Sequence, residues 1–121
     1  YLARQKLSFT LIAKSLGGQV GWSSDIENYL GFHMLDGVEL GKRFRTHIDD
    51  YNDSFSLKEG QAVTKLEKTV EGFRALTASG ETFEGKTVLI ATGSEHRALG
   101  VPGEQKLYGH GLTYCATCDG P

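Results

Sequence analysis

Two cysteines stand three positions apart near the end of the sequence, where Cys115 and Cys118 frame the letters CATC. This spacing lets the two sulfurs form a small disulfide ring or a dithiol, so that one short segment can accept and release two electrons. Asp119 follows directly, and its carboxyl group is suited to give a proton to a departing thiolate or to take one from a thiol. We therefore predict a redox-active cysteine pair with Asp119 as its acid or base.

Other interpretations of the pair are open. A closed zinc site needs four ligands, and the nearest histidines are His96 and His110, so zinc would require a dimer that joins two such segments. A thioredoxin-like domain would continue well beyond the motif, whereas three residues follow Cys118. As an alternative to an enzyme, the pair would belong to a module that senses the redox state or binds zinc and that uses no flavin cofactor.

Charge and composition exclude several classes of protein. The 121 residues carry a net charge of -2, with a pI of about 6.1, and no stripe of Lys and Arg is present to neutralise the phosphates of a nucleic acid. The longest apolar runs fall far short of the roughly 20 residues that cross a bilayer. No basic segment followed by an apolar one opens the chain. We expect a cytoplasmic protein.

The elements that position the pair are predicted from hydrophobic periodicity. Residues Tyr1–Lys6 are typical of the last turns of a helix, and Leu7–Ala13 is an apolar run typical of a buried parallel strand. The glycine-rich stretch Lys14–Phe32 predicts a ligand-facing loop. Helical spacing of apolar residues from Asp36 to Asp50 predicts an amphipathic helix. Its basic residues fall on other faces: Lys42, Arg43 and Arg45.

After Asp53 the apolar pattern changes to a period of two, which predicts a small antiparallel meander. Its segments, separated by turn residues, are Ser54–Leu57, Gln61–Leu66, Gly72–Thr77 and Thr82–Phe83. The run Val88–Gly93 then predicts a buried strand whose glycine end meets a cofactor. Beyond it, Val101–Glu104 predicts a turn and Gly109–Gly111 a flexible connection.

Five segments that occur in one order along the chain resemble the low-molecular-weight thioredoxin reductase family, which includes the flavoprotein subunit of alkyl hydroperoxide reductase. They are Gly17–Val20, Asp25–Gly31, Val88–Gly93, Val101–Glu104 and Cys115–Gly120. The resemblance implies an α/β fold, with a partial FAD-binding Rossmann-like domain of parallel strands plus a small antiparallel β-meander over residues 1–111. Residues 112–121 would be an arm that carries the redox motif and leads to an NAD(P)H-binding domain.

The resemblance also implies an enzyme, a flavoprotein similar to thioredoxin-disulfide reductase. Electrons would pass from NADH or NADPH to FAD, then to the cysteine pair, and then to the disulfide of a thioredoxin-like, glutaredoxin-like or peroxiredoxin-type protein. Cys118 would lie nearer the flavin and form the charge-transfer thiolate, Cys115 would be its redox partner, and Asp119 would be the proton donor. The parent enzyme would be a homodimer.

The FAD-binding residues follow from the same resemblance. Gly17 and Gly18 would let the backbone approach the cofactor, while Gln19 and Asn28 would hydrogen-bond to polar edges of the ribityl chain or the flavin. The backbone of Ala62 would contact the adenine. The pyrophosphate side of the site would be formed by Ala91, Thr92 and Gly93.

The chain also departs from the family pattern. No Gly-x-Gly-x-x-Gly fingerprint is present, and Ala13, Lys14 and Ser15 stand where many dinucleotide-binding folds place an acidic ribose ligand. We therefore expect a fragment of a longer reductase, inactive by itself, with the nicotinamide site outside this chain.

Overall fold

The structure is a computed structural model that describes residues 1–116. It divides into two compact units, Tyr1–Ile90 and Ala91–Pro121, of which the second is described as far as Ala116. The domain boundaries drawn from the sequence, 1–111 and 112–121, stay a prediction.

The first unit opens with a turn that has the hydrogen bonds of a helix C-terminus. The Lys6 N–H donates to the Ala3 carbonyl at 2.9 Å, and the Leu7 N–H donates to the Leu2 carbonyl at 3.1 Å. Lys6 lies in the left-handed region with φ of 56°. This is the Schellman arrangement that ends many helices, and it agrees with the predicted end of a helix at Tyr1–Lys6.

This turn leads into the first strand of a parallel pair. Strand β1, Thr10–Ala13, pairs in parallel with β2, Ser56–Glu59, so that Thr10 lies opposite Ser56 and Ala13 opposite Glu59. The rings of Phe9 and Phe55 stack 4.6 Å apart just before the two strands. The predicted parallel strand Leu7–Ala13 is therefore confirmed over its last four residues, but these are half-buried or exposed and the predicted burial is wrong.

The predicted place of Ser54–Leu57 in the antiparallel meander is wrong. Its last two residues belong to β2, which lies beside β1 instead. An apolar alternation marks a strand but does not specify its partner. Here the chain crosses over through a helix between the two strands, and such a crossover is the connection that parallel strands require.

That crossover helix is α1, Gly37–Asp49, within one residue of the predicted helix at each end. Asp36 caps it by accepting a hydrogen bond from the Glu39 N–H at 2.7 Å. Leu40 is 3% exposed and Leu35 is 9% exposed, and a single bridge joins Ile26 to Leu35 ahead of the helix. The apolar centre of the first unit therefore lies where α1 meets the preceding loop.

The antiparallel meander is confirmed with three strands. They are β3, Val63–Lys68, β4, Phe73–Thr77, and β5, Thr82–Gly85, in the order β3-β4-β5. The register shifts between Val63 and Lys65, where β3 contains a bulge. Turns that include Glu71–Gly72 and Ser79–Gly80 separate these strands.

The predicted buried strand Val88–Gly93 is wrong as a description of this structure. The segment has no regular secondary structure, and the side chains of Leu89 and Ile90 are 79% and 69% exposed. Its composition suits a buried strand, but a strand forms only where its backbone groups meet a neighbouring strand. Within residues 1–116, β1 has β2 as its partner and no strand pairs with this run.

Up to Tyr114, the second unit consists of turns and irregular backbone around a short helix. Helix α2, Glu104–Leu107, follows Gly103, whose φ of 87° turns the chain after Pro102. A bridge between Tyr108 and Leu112 closes the turn around Gly109–Gly111. No helix in the described part of the chain is long and apolar enough to cross a membrane.

Candidate functional site

An open groove of about 330 Å³ lies at the carboxyl ends of β1 and β2. One wall is the loop that follows β1, and the other is α1. Ligands of open α/β folds bind at this edge of a parallel sheet. The groove is lined by Leu16, Gly17, Gly18, Gly21, Gly37, Val38, Gly41, Lys42, Arg45 and Glu59.

The glycine loop forms a bare backbone wall. Gly17 has φ of 95° and Gly18 has φ of 51°, both in the left-handed region that favours glycine. The 3-10 helix Gly18–Trp22 begins there, and the Val20 N–H donates to the Gly17 carbonyl at 3.1 Å. A flat ligand can therefore approach this backbone without meeting side chains.

Gly37 brings the loop and α1 together. Its N–H donates to the Ser23 carbonyl at 2.8 Å. A Cβ on Gly37 would fall 1.7 Å from the Val20 carbonyl oxygen, much closer than atoms can pack. Glycine at this position is thus required for the groove to have its present width.

Charged side chains line the open side of the groove. Arg45 bonds to Asp49 at 2.9 Å and also to Glu59, so that α1 is tied to the end of β2. The pKa of Arg45 is raised, first by its hydrogen bond to Asp49 and then by that to Glu59. Lys42 makes no ion pair within residues 1–116. The Glu59 carboxylate is therefore neutralised, and Lys42 is a cation available to an anionic ligand.

The predicted FAD residues of the first unit fall into two groups. Gly17 and Gly18 line the groove, whereas Gln19 and Asn28 are exposed and do not line it. Gln19 lies in the 3-10 helix and Asn28 in the loop between Ile26 and Tyr29. The structure thus brings the two glycines to the edge of the sheet, and the roles of Gln19 and Asn28 stay predictions.

Ala62 is positioned at the same edge through its neighbour. The Gln61 N–H donates to the Ala13 carbonyl at the end of β1, at 3.2 Å, and the Ala62 carbonyl accepts from the Ala78 N–H at 2.8 Å. The side chain of Gln61 donates to Glu81 at 2.9 Å and accepts from Ser79 at 2.7 Å. Gln61, which the sequence did not single out, therefore ties the meander to the end of β1.

The other predicted site residues belong to the second unit. Ala91, Thr92 and Gly93 lie in exposed irregular backbone, with Gly93 at φ of 70°. Cys115 is half-buried, and its N–H donates to the Thr113 hydroxyl at 3.1 Å. Cys118 and Asp119 lie outside the described residues. Within residues 1–116 there is no group of three or more His, Cys, Asp or Glu that could hold a metal ion.

Sequence reasoning missed Lys42, Arg45 and Glu59 as residues of the groove. Periodicity assigns Lys42 and Arg45 to the other faces of α1, and one of those faces is the wall of the groove. Residues three, four and seven positions apart share a face of a helix, and the wall contains Val38, Gly41, Lys42 and Arg45 in this spacing. The signal that the sequence offered was Gly41, a glycine in the middle of a helix and close to the cations Lys42 and Arg45.

The geometry is that of the edge of a nucleotide-binding α/β unit: a parallel pair, a crossover helix and a glycine backbone wall. A family model described as pyridine nucleotide-disulphide oxidoreductase matches residues 1–121. The chain belongs to this family, and the resemblance to thioredoxin reductases is confirmed.

Individual relatives agree with this assignment. The chain is 37% identical to the F subunit of alkyl hydroperoxide reductase from Staphylococcus aureus (strain NCTC 8325 / PS 47) over 121 residues, which is 100% of this chain and 24% of that protein. It is 32% identical to thioredoxin reductase of Bacillus subtilis (strain 168) over 123 residues, which is 99% of this chain and 37% of that protein. The chain thus spans about a quarter of the length of the first relative and a little over a third of the length of the second.

Solved structures give the same result for the fold. The crystal structure of T. acidophilum thioredoxin reductase is similar with a TM-score of 0.76 and 39% identity, over 98% of this chain and 38% of that one. Thioredoxin reductase from Streptococcus pyogenes MGAS5005 is similar with a TM-score of 0.78 and 38% identity, over the same shares. The predicted fold class, with parallel strands of a Rossmann-like domain and an antiparallel meander, is confirmed.

Proposed function

We propose that this chain contributes the flavin-side groove and the redox cysteines of an FAD-dependent NAD(P)H:protein-disulfide oxidoreductase. The observation that carries the proposal is the glycine-walled groove at the carboxyl end of a parallel pair, in a chain matched to the family along all its residues. The family resemblance further implies a homodimer, and the composition predicts a cytoplasmic protein.

The residues of the groove fit part of the cofactor. Gly17 and Gly18 offer backbone without side chains, and Lys42 offers a positive charge to a phosphate or another anionic edge. Gln19, Asn28, Ala62 and Ala91–Gly93 are the further contacts that we propose from the family resemblance. When bound, FAD would accept two electrons from NADH or NADPH and make them available to a disulfide.

The cysteines would carry the electrons onward. With the pair reduced, one thiolate attacks the disulfide of a partner protein, and a mixed disulfide forms as the partner's own S–S bond breaks. The second cysteine then attacks the mixed disulfide, the partner leaves as a dithiol, and the Cys115–Cys118 disulfide is restored. We propose Asp119 as the group that gives a proton to the departing thiolate, and a thioredoxin-like or peroxiredoxin-type protein as the partner.

The test separates flavin chemistry from cysteine chemistry. In the protein at the full length that its gene encodes, Cys118→Ser should leave reduction of the bound flavin by NADH or NADPH intact and reduce disulfide turnover to background, because no second thiol resolves the mixed disulfide. Bleaching of the flavin absorbance measures the first step, and release of thiols from an oxidised thioredoxin measures the second.

Ala116→Ser is the matched control, because it places a hydroxyl in the same segment and keeps both sulfurs. It should retain most of the turnover. Full disulfide turnover in the Cys118→Ser protein, or a purified protein that contains no flavin, would refute the proposal.

A further inference from the structure

Three rings form a cluster in the second unit. The imidazole of His96 stacks on the ring of Tyr114 with centroids 3.9 Å apart and planes 18° from parallel. Tyr108 lies beside both, with its centroid 5.3 Å from that of His96 and 5.7 Å from that of Tyr114. Tyr114 immediately precedes Cys115, so this cluster restrains the backbone that carries the sulfur.

Hydrogen bonds restrain the same segment. The Leu99 N–H donates to the Tyr114 hydroxyl at 3.4 Å and to Glu104 at 2.8 Å. On the other side of Tyr114, the Cys115 N–H donates to the Thr113 hydroxyl at 3.1 Å. Tyr114 is therefore restrained at its ring and at its hydroxyl, one residue from Cys115.

We propose that His96 is a positioning residue for Cys115. Its ring, stacked on Tyr114, keeps the sulfur-bearing backbone in one orientation, from which the thiolate of Cys115 attacks a disulfide. The inference rests on the proposed function insofar as that function makes Cys115 a redox residue. The role of His96 is indirect, because its ring contacts Tyr114.

The experiment measures Cys115 by itself. Residues 1–121 contain two cysteines, so in the full-length protein Cys118→Ser is combined with replacement by serine of any cysteine outside these residues, which leaves Cys115 as the thiol that reacts. The reduced protein reacts with 5,5′-dithiobis(2-nitrobenzoate): the Cys115 thiolate attacks one sulfur, the S–S bond of the reagent breaks, and one coloured thiolate leaves. Division of the rate by the thiolate fraction, measured by its ultraviolet absorbance, gives the reactivity per thiolate.

In this background, His96→Ala should lower the reactivity per thiolate roughly two- to tenfold, the range expected for loss of one aromatic pair. His96→Phe keeps a ring on Tyr114 and should restore the rate. His110→Ala is the matched control, because His110 has no ring contact within the described residues, and it should react as the parent does.

Two results would overturn the proposal: a His96→Ala protein that reacts like its parent, or a His96→Phe protein that is as slow as His96→Ala. The assay uses neither flavin nor nicotinamide. A protein that fails to bind FAD would therefore disprove the proposed function while leaving the result for His96 intact.

Discussion

Different kinds of interaction stabilise the interior of each of the two units of this chain. In Tyr1–Ile90 the backbone is paired in two sheets and one helix of 13 residues. In the described part of the second unit, one carboxylate and three rings restrain a chain that has a single four-residue helix. Loss of one side chain should therefore affect the first unit through packing and the second through local hydrogen bonds.

The difference suits the two tasks that we propose. A groove for a large cofactor needs a rigid edge, which a parallel pair and a crossover helix supply. A segment that exchanges disulfides must admit another protein, and weakly paired backbone opens at low cost in free energy. The first unit is accordingly the more sensitive place to test stability.

The largest effect is expected at Leu40, the most buried apolar side chain of the first unit. Leu40→Ala should lower the free energy of unfolding by about 2–5 kcal/mol, because it removes buried methyl groups and leaves a cavity. Urea unfolding followed by far-ultraviolet circular dichroism measures the change. Val38→Ala, on the same helix but 55% exposed, should cost about 0.5 kcal/mol or less; equal losses in the two variants would contradict a core at Leu40.

Two glycines of α1 provide a sharper pair. Gly37→Ala should cost about 1–3 kcal/mol, because its new Cβ collides with the Val20 carbonyl and separates the loop from the helix. Gly41→Ala should instead gain about 0.5–1 kcal/mol, since its Cβ meets no atom within 4 Å and alanine favours the helix. The same urea experiment compares them. A stabilising Gly37→Ala would show that the loop and helix do not meet as described.

The sequence predicted elements well where local patterns decide them. Helix α1 follows from the spacing of its apolar residues, and the meander follows from alternation between glycine turns. Pairing is decided by distant contacts, so the partner of β2 was predicted wrongly and Val88–Gly93 was predicted as a strand. Composition shows how apolar a segment is, but it does not show which strand lies beside that segment.

The same limit applies to the site. Gly17 and Gly18 were predicted as site residues from the family resemblance, and both line the groove. Lys42 and Glu59 could not be assigned to one site, since they come from different elements that meet only when β2 lies beside β1. Gln61 acts through hydrogen bonds to Glu81 and Ser79. These residues lie about twenty positions further along the chain, so no short sequence motif links them to Gln61.

The smallest effect is expected in the second unit, at Glu104. Its carboxylate accepts the N–H groups of Leu99, Gly100 and Val101 at 2.8, 2.6 and 3.3 Å. The pKa of Glu104 is lowered, first by the Leu99 N–H, then by those of Gly100 and Val101 and by the charge of His96. Because the folded state lowers this pKa, the contribution to stability is present above the ordinary value of 4.5 and is lost as the pH falls through the lowered pKa.

Hydrogen exchange of these three amides measures that contribution. In the parent, their protection factors should fall as the pH drops below 4.5, whereas the amides of β4 should keep theirs. Glu104→Gln should lower the protection at neutral pH and abolish its dependence on acid, because an amide side chain accepts more weakly than a carboxylate and does not titrate. Glu95→Gln, whose carboxylate makes no hydrogen bond or ion pair within residues 1–116, should behave as the parent. Acid-independent protection in the parent would mean that the loop is held by its backbone alone, and the contrast between the two units would then disappear.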